Sequence, residues 1–379
     1  MRRRTCLLAL ASLPAWLKIW PVAAAAESDR TEHPPVAFDP VLPGRTLTFP
    51  ADHGAHPGFC TEWWYATGWL SLPDGRPLGF QTTFFRVRTG LGEQNPSAFA
   101  PRQLILAHAA IADPRQGQLL HDQRAARVGH GRAGFTVGQT AVWLGDWRFE
   151  QTGERYRAQV SVGEFAYDLS LVPDGPPLLN GEAGFSAKAP DPRHASYYYS
   201  RPQLKVSGTV TLKGDPQAVT GLAWLDHEWS SEYLPQGAAG WDWIGLNLDD
   251  GSGLMAFQMR GRDGRAIWST ATLRPPEGPF GGPPGGRAQV LPRAAVVFEP
   301  RRRWRSPHTG IDYPVEWRLR IGARMLLLQP LMDDQELDSR RSTGTVYWEG
   351  AVRVLEDGRE IGRGYLEMTG YGGTIRVGR

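Results

Sequence analysis

Residues 61–87 read TEWWYATGWLSLPDGRPLGFQTTFFRV, two aromatic-rich segments on either side of an Asp-Gly pair. Trp, Tyr, Phe and Thr favour strands, and an Asp-Gly pair between such segments favours a tight turn. The stretch therefore predicts a β-hairpin. Because strand side chains alternate, Trp63 and Tyr65 would share one face, and Glu62 and Trp64 the other. A carboxylate among tryptophans needs a partner or a proton, so we expect Glu62 to pair with Arg86 or to face a ligand.

The same hairpin signal recurs along the chain. Further Asp-Gly pairs begin at residues 174, 250, 263 and 357, and the 379 residues include 15 Trp, 45 Gly and 31 Pro. No long segment shows helical periodicity, so we predict an all-β protein built of antiparallel barrels or sandwiches. The length favours two domains. A linker-like segment, LPQGAAG at 234–240, predicts an N-terminal domain at 38–235 and a C-terminal domain at 236–379.

Residues 1–26 have a basic start, an apolar middle and small residues at the end, which is typical of an export signal. The basic start fits a twin-arginine signal or the general route, whereas a membrane anchor is disfavoured because Pro14 and Lys18 interrupt the apolar run. We therefore expect a periplasmic or secreted protein. Loss of the signal also removes Cys6 and leaves Cys60 alone, so no internal disulfide is expected.

Charge and motif patterns argue against several classes of function. The chain has 42 basic and 39 acidic residues, four of the basic ones within residues 1–26, so the remainder is close to neutral. The basic run at 301–305 is isolated, which gives little support for nucleic-acid binding. His53 and His56 lack a third ligand nearby, so no metal site is expected. Neither a phosphate loop, a dinucleotide fingerprint nor a Gly-x-Ser-x-Gly motif is present.

Three segments place acids among tryptophans. They are TEWWY at 61–65, WLDHEWSSE at 224–232 and WDW at 241–243. Asp226, His227 and Asp242 are the candidate catalytic residues, and the candidate ligand-binding residues are Glu62, Trp63, Trp64, Tyr65, Trp229, Trp241 and Trp243. One interpretation is structural, with buried acids paired to arginines. The other is addition of water to an isolated alkene, in which a carboxylic acid protonates carbon, aromatic faces stabilise the cation, and His or a carboxylate acts as base.

Several long motifs resemble the AttH-like branch of the carotenoid 1,2-hydratase family. They are HPGFCTEWWYATGWL, GFQTTFFR, SRPQLKVSGTV, GLAWLDHEWSSE, GWDWIGLNLDDG, MDDQELDSRRSTGTVYWEGAV and GRGYLEMTGY. The resemblance implies two tandem lipocalin-like antiparallel β-barrel domains packed together, and an activity that needs no cofactor. It also places the hydratase-like site at Asp226, His227 and Trp229, with Trp241 and Asp242 nearby.

Two functions are compatible with this resemblance. The first is an exported protein that binds or handles an apolar lipid or isoprenoid, with an ABC-type permease complex as a partner, as AttH-like proteins are associated with such exporters. The second is a hydro-lyase that adds water to an isoprenoid or carotenoid double bond. The Glu before WWY and the DHEWSSE form are AttH-like features that depart from the hydratases, so the resemblance does not specify carotenoid as the substrate.

Overall fold

The computed structural model describes residues 36–276 and 288–373, and these residues are almost entirely β-structure. In them the strands form two antiparallel sheets, and the helices are two 3₁₀ turns, Ala51–His53 and Arg293–Ala295. None of the described helices is long and apolar enough to span a membrane. The predicted export signal lies outside the described residues.

The first sheet contains the N-terminal strands of the chain. In chain order they are β1 Thr61–Ser71, β2 Pro77–Arg88, β3 Gln103–Ala112, β4 Leu119–Arg127, β5 Ala133–Phe135, β6 Ala141–Leu144, β7 Trp147–Thr152, β8 Arg155–Ser161, β9 Phe165–Val172, β10 Leu178–Leu179, β11 Phe185–Ala187, β12 Ala195–Leu212 and β13 Asp215–Ser230. They follow the order β4-β3-β2-β1-β13-β12-β9-β8-β7-β6-β5, and β10 and β11 pair with β12.

The second sheet contains the remaining described strands. They are β14 Ala238–Leu248, β15 Gly253–Gly261, β16 Ala266–Arg274, β17 Gln289–Leu291, β18 Val296–Arg305, β19 Asp312–Ile321, β20 Arg324–Pro330, β21 Glu336–Asp338, β22 Val346–Glu356 and β23 Arg359–Met368. Their order is β17-β16-β15-β14-β23-β22-β20-β19-β18, and β21 pairs with β22.

Each sheet curls around its own apolar core. In β9 every second side chain, from Phe165 to Leu171, is buried, which is the pattern of a strand with one face inside a barrel. The two ends of the first sheet approach each other, because the Arg124 guanidinium of the edge strand β4 lies 4.3 Å from the Trp147 ring of β7, two strands in from the opposite edge. The predicted all-β fold of two tandem lipocalin-like antiparallel barrels is confirmed.

The predicted hairpin at residues 61–87 is present as β1 and β2, with Glu62 opposite Arg86. The first sheet ends at Ser230 and the second begins at Ala238. The predicted boundary at 235/236 therefore lies between the two sheets, and the division into two domains stays a prediction.

The two barrels pack through aromatic side chains and a few hydrogen bonds. Trp69 and Trp224 of the first barrel share an apolar cluster with Trp243 and Tyr365 of the second. The Trp69 Nε1 donates to the Gly364 carbonyl over 3.0 Å. Because these aromatic faces meet at a junction that both sheets build, the space beside them is enclosed by strands from both barrels.

Candidate active site between the barrels

A cavity of about 440 Å³ lies between the two barrels. Its lining includes apolar residues of the first barrel, among them Phe85, Leu104 and Leu106, and aromatic residues from both barrels, among them Trp63, Trp241 and Tyr347. It also includes four acidic side chains, Asp226, Glu228, Glu349 and Glu367. The cavity therefore combines the apolar walls of a ligand pocket with an unusual number of carboxyl groups.

Strand alternation places these side chains together. Asp226 and Glu228 lie two residues apart on β13 and face the same side. Glu349 of β22 and Glu367 of β23 are direct cross-strand partners, so their side chains lie on one face of the sheet. Four carboxyl groups from three strands thus reach one space.

Glu349 and Glu367 form the most perturbed acidic pair in the cavity. Burial raises the pKa of Glu349 well above its usual value, and the charge of Glu367 raises it further. Shielding from water raises the pKa of Glu367 to about 8, although the Trp241 Nε1 donates to its Oε1 over 3.1 Å and opposes the shift. The Oε2 atom of Glu349 is buried and makes no hydrogen bond of good geometry, although the Gln81 side chain is close enough to lower the pKa of Glu349. This pair can hold protons at neutral pH.

Asp226 is the third acid of the cavity, and three donors fix its carboxyl group. Tyr198 Oη donates to Oδ2 over 2.6 Å, and Ser200 Oγ and Trp224 Nε1 donate to Oδ1 over 2.5 and 2.6 Å. Burial nevertheless raises the pKa of Asp226 to about 7. Asp226 is therefore rigidly held and close to half-protonated near neutral pH.

Glu228 differs from the other acids because it has a buried cation as its partner. Lys188 Nζ lies 2.7 Å from Glu228 Oε1 and 4.3 Å from the ring centroid of Phe257. Burial lowers the pKa of Lys188, and the Glu228 charge opposes that shift. This ion pair balances one of the four carboxyl groups and leaves three without a counter-charge.

A second cluster lies on the other face of β1 and β13, at one end of the first barrel. Glu62 Oε2 accepts from Arg86 Nε over 2.7 Å, and Glu62 Oε1 lies 2.7 Å from His56 Nδ1 and 2.9 Å from His227 Nε2. His56 is in turn bonded to Asp52 over 3.0 Å. Every hydrogen-bonding group of the Glu62 carboxylate is satisfied within the protein.

The charges of this cluster follow from its pairing. Burial alone would raise the pKa of Glu62, but Arg86 and then His56 hold that pKa well below its usual value. Burial would lower the pKa of His56, but Glu62 and Asp52 outweigh burial and raise it. Burial dominates at His227 and lowers its pKa. Glu62 is therefore ionised, and its proton-sharing partner is His56.

In the described residues, His56, Glu62 and His227 form the one group of His, Cys, Asp and Glu side chains whose donor atoms are close enough to hold a metal ion, all within 4.8 Å of one another. The ion pair with Arg86 already neutralises Glu62. The expectation that the protein holds no metal stays a prediction.

Comparison with known proteins assigns the family. The model of the AttH-like family matches residues 40–371. The chain belongs to the AttH-like family. A crystal structure of a protein assigned as AttH from Nitrosomonas europaea is 50% identical, covers 88% of this chain and 100% of its own, and has a TM-score of 0.81.

More distant structures share the fold of this AttH-like protein. Kievitone hydratase from Nectria haematococca has a TM-score of 0.65 at 15% identity and covers 89% of this chain and 97% of its own. CghA has a TM-score of 0.52 at 14% identity and covers 83% of this chain and 89% of its own. A search of curated proteins gives no match.

The structure separates the candidate catalytic residues of the AttH-like chain. Asp226 faces the cavity between the barrels. His227, the next residue on β13, points the other way and contacts Glu62. Asp242 lies on the face of β14 opposite Trp241 and Trp243, where Arg260 Nε is 2.7 Å from its Oδ2. Burial raises the pKa of Asp242 and Arg260 opposes it. These three residues do not share one cavity.

The candidate ligand-binding residues divide in the same way. Trp63, Tyr65, Trp241 and Trp243 line the cavity between the barrels. The other three, Glu62, Trp64 and Trp229, lie on the opposite faces of their strands, in the second cluster. The Trp64 ring stacks on His227 at 4.8 Å, and the Trp229 ring stacks on His56 at 3.7 Å. Glu62 is within hydrogen-bond distance of both histidines. The binding role of all seven stays a prediction.

Sequence reasoning missed Glu349 and Glu367. Both lie within motifs that carry the family resemblance, in VYWEGAV and GYLEMTGY. Glu349 follows Tyr347 and Trp348, so it repeats the pattern of an acid among aromatics that singled out Glu62. That signal was available, but pairing the two acids requires the register of β22 with β23, which sequence spacing does not give.

Proposed function

We propose that this AttH-like protein is a hydratase that adds water to an isolated carbon–carbon double bond of an elongated, apolar, isoprenoid-type ligand bound between the barrels. The observation that supports this proposal is the directly opposed pair Glu349 and Glu367 in an aromatic-walled cavity. A carboxyl group that retains its proton at neutral pH is the general acid that protonation of an alkene carbon requires.

The reaction proceeds in two steps. The protonated member of the Glu349–Glu367 pair gives its proton to one alkene carbon, so the π bond breaks, a C–H bond forms and the other carbon becomes cationic. Trp63, Tyr65 and Trp243, which line the cavity, offer aromatic faces that stabilise this cation. Water then forms the C–O bond and releases a proton to the carboxylate. The net change is addition of one water, and the pair regains its proton.

Asp226 has a supporting role in this scheme. Its carboxyl group is fixed by Tyr198, Ser200 and Trp224, so it cannot swing towards a ligand without breaking hydrogen bonds. A half-protonated Asp226 suits orientation of the attacking water. The resemblance of the fold to kievitone hydratase is compatible with hydration and does not define the substrate.

The test uses the purified chain, an acyclic isoprenoid alcohol with a terminal isopropylidene group, and ¹⁸O-labelled water. Mass spectrometry should detect a product heavier by one labelled water. Glu349→Gln and Glu367→Gln should each reduce its formation by about 10²-fold or more. Glu360→Gln, an exposed residue on the same strand as Glu367, is the matched control and should retain activity.

Two results would count against the proposal. Hydration that survives both Gln substitutions would exclude the pair as the acid. Ligand that is retained on the wild-type protein without conversion would instead favour the lipid-handling function.

A further inference from the structure

The cavity between the barrels carries more acid than base. Asp226, Glu228, Glu349 and Glu367 line it, and the described residues that line it include no Lys, Arg or His. Lys188 lies beside the cavity and pairs with Glu228. Three carboxyl groups therefore enter a shielded space without a protein cation, an arrangement that costs free energy unless protons or a bound cation compensate.

Two polar atoms at the cavity lack partners. Glu349 Oε2 and Tyr65 Oη are both buried without a hydrogen bond, and both residues line the cavity. Their exposed fractions are 3% and 4%. Burial raises the pKa of Glu349, and the Gln81 side chain interacts with Glu349 and lowers that pKa, whereas no described side chain bonds Tyr65 Oη. Buried polar groups are nearly always paired, so Tyr65 Oη is the atom at which a bound molecule would find a free hydrogen-bonding partner.

Aromatic rings surround the same space. The Trp63 and Tyr233 rings meet edge to face at 5.2 Å, and Tyr233 meets Trp241 at 5.4 Å. Lys188 Nζ already lies 5.4 Å from the Tyr233 ring and 5.0 Å from the Tyr198 ring. The aromatic wall thus contacts one ammonium group of the protein, and aromatic rings beside carboxylates are the recognised surroundings of a cation.

We propose that this cavity binds the ammonium group of an apolar amine, with the Glu349–Glu367 pair, carrying one negative charge, as the counter-ion and the Trp and Tyr faces as the rest of the cage. The proposal rests on the same cavity as the proposed function, but it does not require the hydration step. The ligand would then be a cationic amphiphile, with a positive charge next to an apolar tail, whereas the isoprenoid of the proposed function is uncharged.

Binding of a cation should depend on pH. Besides burial, the charges of Asp226, Glu228 and Asp242 raise the pKa of Glu367, although Asp242 lies on the other face of the sheet, and the charge of Glu367 raises the pKa of Glu349. The other titratable groups whose ionisation these acids influence are Lys188, which pairs with Glu228, and the tyrosines Tyr65, Tyr198, Tyr233, Tyr347, Tyr365 and Tyr371. A cation favours the ionised pair, so its binding expels a proton while the pH is below the pKa of Glu367, about 8.

The experiment compares octylammonium with 1-octanol, a neutral ligand of the same length, by titration calorimetry on the full chain. Octylammonium should bind at least roughly tenfold more tightly at pH 7.5. Its affinity should rise by up to about tenfold per pH unit between pH 6 and 8, with release of about one proton. The proton count comes from repeating the titration in two buffers that differ in ionisation enthalpy.

Variants of Glu349 and Glu367 then test whether this pair supplies the negative charge that binds the ammonium group. Glu349→Gln and Glu367→Gln should each lose the preference for octylammonium while still binding 1-octanol, which shows that the cavity remains formed. Glu360→Gln should behave as the wild type. Equal affinity of the wild type for the two ligands, or an amine preference that persists in both variants, would overturn the proposal.

The hydratase proposal and the amine-binding proposal can be contradicted independently of each other. Octylammonium has no double bond, so its binding does not depend on hydration. Amine binding without any turnover would overturn the hydratase alone, and turnover without amine preference would overturn the cation site alone.

Discussion

At the scale of single residues, two glutamates of this protein show how surroundings decide ionisation. Glu62 is fully buried but has Arg86 and His56 as partners, and they hold its pKa well below the usual range. Glu367 reaches a shielded cavity and has only the Trp241 Nε1 as a donor, so its pKa rises to about 8. The same type of side chain is therefore ionised at one site and keeps its proton at neutral pH at the other.

The Glu62–Arg86 pair should be strongly stabilising relative to its broken form. Arg86→Met leaves the Glu62 carboxylate buried with only histidine partners, and we expect a loss of about 3–5 kcal/mol in the free energy of unfolding. Chemical denaturation followed by tryptophan fluorescence measures this loss. Arg157→Met removes a salt bridge of exposed side chains and should cost less than about 1 kcal/mol. Similar losses in the two variants would mean that the buried charge is compensated elsewhere.

Glu367 should destabilise the protein as the pH rises. The unfolded chain releases this proton near pH 4.5 and the folded protein near pH 8, so the folded state binds more protons between these values and its stability falls with increasing pH. Glu367→Gln keeps an acceptor for Trp241 and removes the titration. At pH 8 its free energy of unfolding should exceed that of the wild type by at least about 1 kcal/mol. This gain should disappear towards pH 4.5, and a gain independent of pH would contradict the assignment.

At the scale of the strand, β1 and β13 each separate two chemical environments. Trp63 and Tyr65 face the cavity, whereas Glu62 and Trp64 face the interior of the first barrel. One strand can contribute side chains to both environments because its side chains alternate and both of its faces are covered by protein. This is why neighbouring residues such as Asp226 and His227 belong to different sites.

Close packing between the barrels also depends on a glycine of β14. A Cβ placed on Gly245 would lie 2.6 Å from the Trp243 ring and 2.9 Å from the Trp224 ring. Gly245→Ala should therefore displace the rings at the junction and destabilise the protein by about 1–3 kcal/mol, as measured by thermal and urea unfolding. Gly163→Ala is the control, since a Cβ there meets nothing within 4 Å. If Gly245→Ala were as stable as the wild type, the tryptophan rings at the junction would be able to shift without a loss of stability.

At the scale of the whole molecule, polar side chains fix how the two barrels meet. Asn247 Oδ1 accepts from the Gln203 backbone N–H over 2.7 Å, and its Nδ2 donates to the Ala223 carbonyl over 3.0 Å. The Gln203 Nε2 in turn donates to the Leu248 and Ser252 carbonyls over 2.9 Å. These bonds connect backbone groups of one barrel with side chains of the other, so they set the relative position of the cavity walls.

Removal of this connection should weaken both stability and binding. Asn247→Ala removes the acceptor of the Gln203 N–H and one donor to the Ala223 carbonyl, and it should cost about 1–3 kcal/mol in the free energy of unfolding. Because the walls of the cavity belong to different barrels, affinity for 1-octanol should fall as well, although Asn247 does not line the cavity. Asn95→Ala, in an exposed loop, should change stability by less than about 0.5 kcal/mol. Unchanged binding in Asn247→Ala would argue that the junction does not shape the cavity.

The sequence alone determined the all-β class, the hairpin at residues 61–87 and the family, and it named Arg86 as one of two alternatives for what Glu62 meets. These features depend on local preferences, such as turn chemistry, side-chain alternation and the cost of an unpaired buried acid. The sequence also identified Asp226, Trp63, Tyr65, Trp241 and Trp243, which the structure places at one cavity.

Only the tertiary structure decided which acids share a space. Asp226 and His227 are neighbours in sequence but face opposite sides of β13, whereas Glu349 and Glu367 are 18 residues apart and stand opposite each other. The alternation of side chains along a strand predicts that two neighbouring residues lie on different faces, but it does not predict what packs against each face. That depends on the register of β22 with β23 and on the packing of one barrel against the other, which arise from long-range contacts.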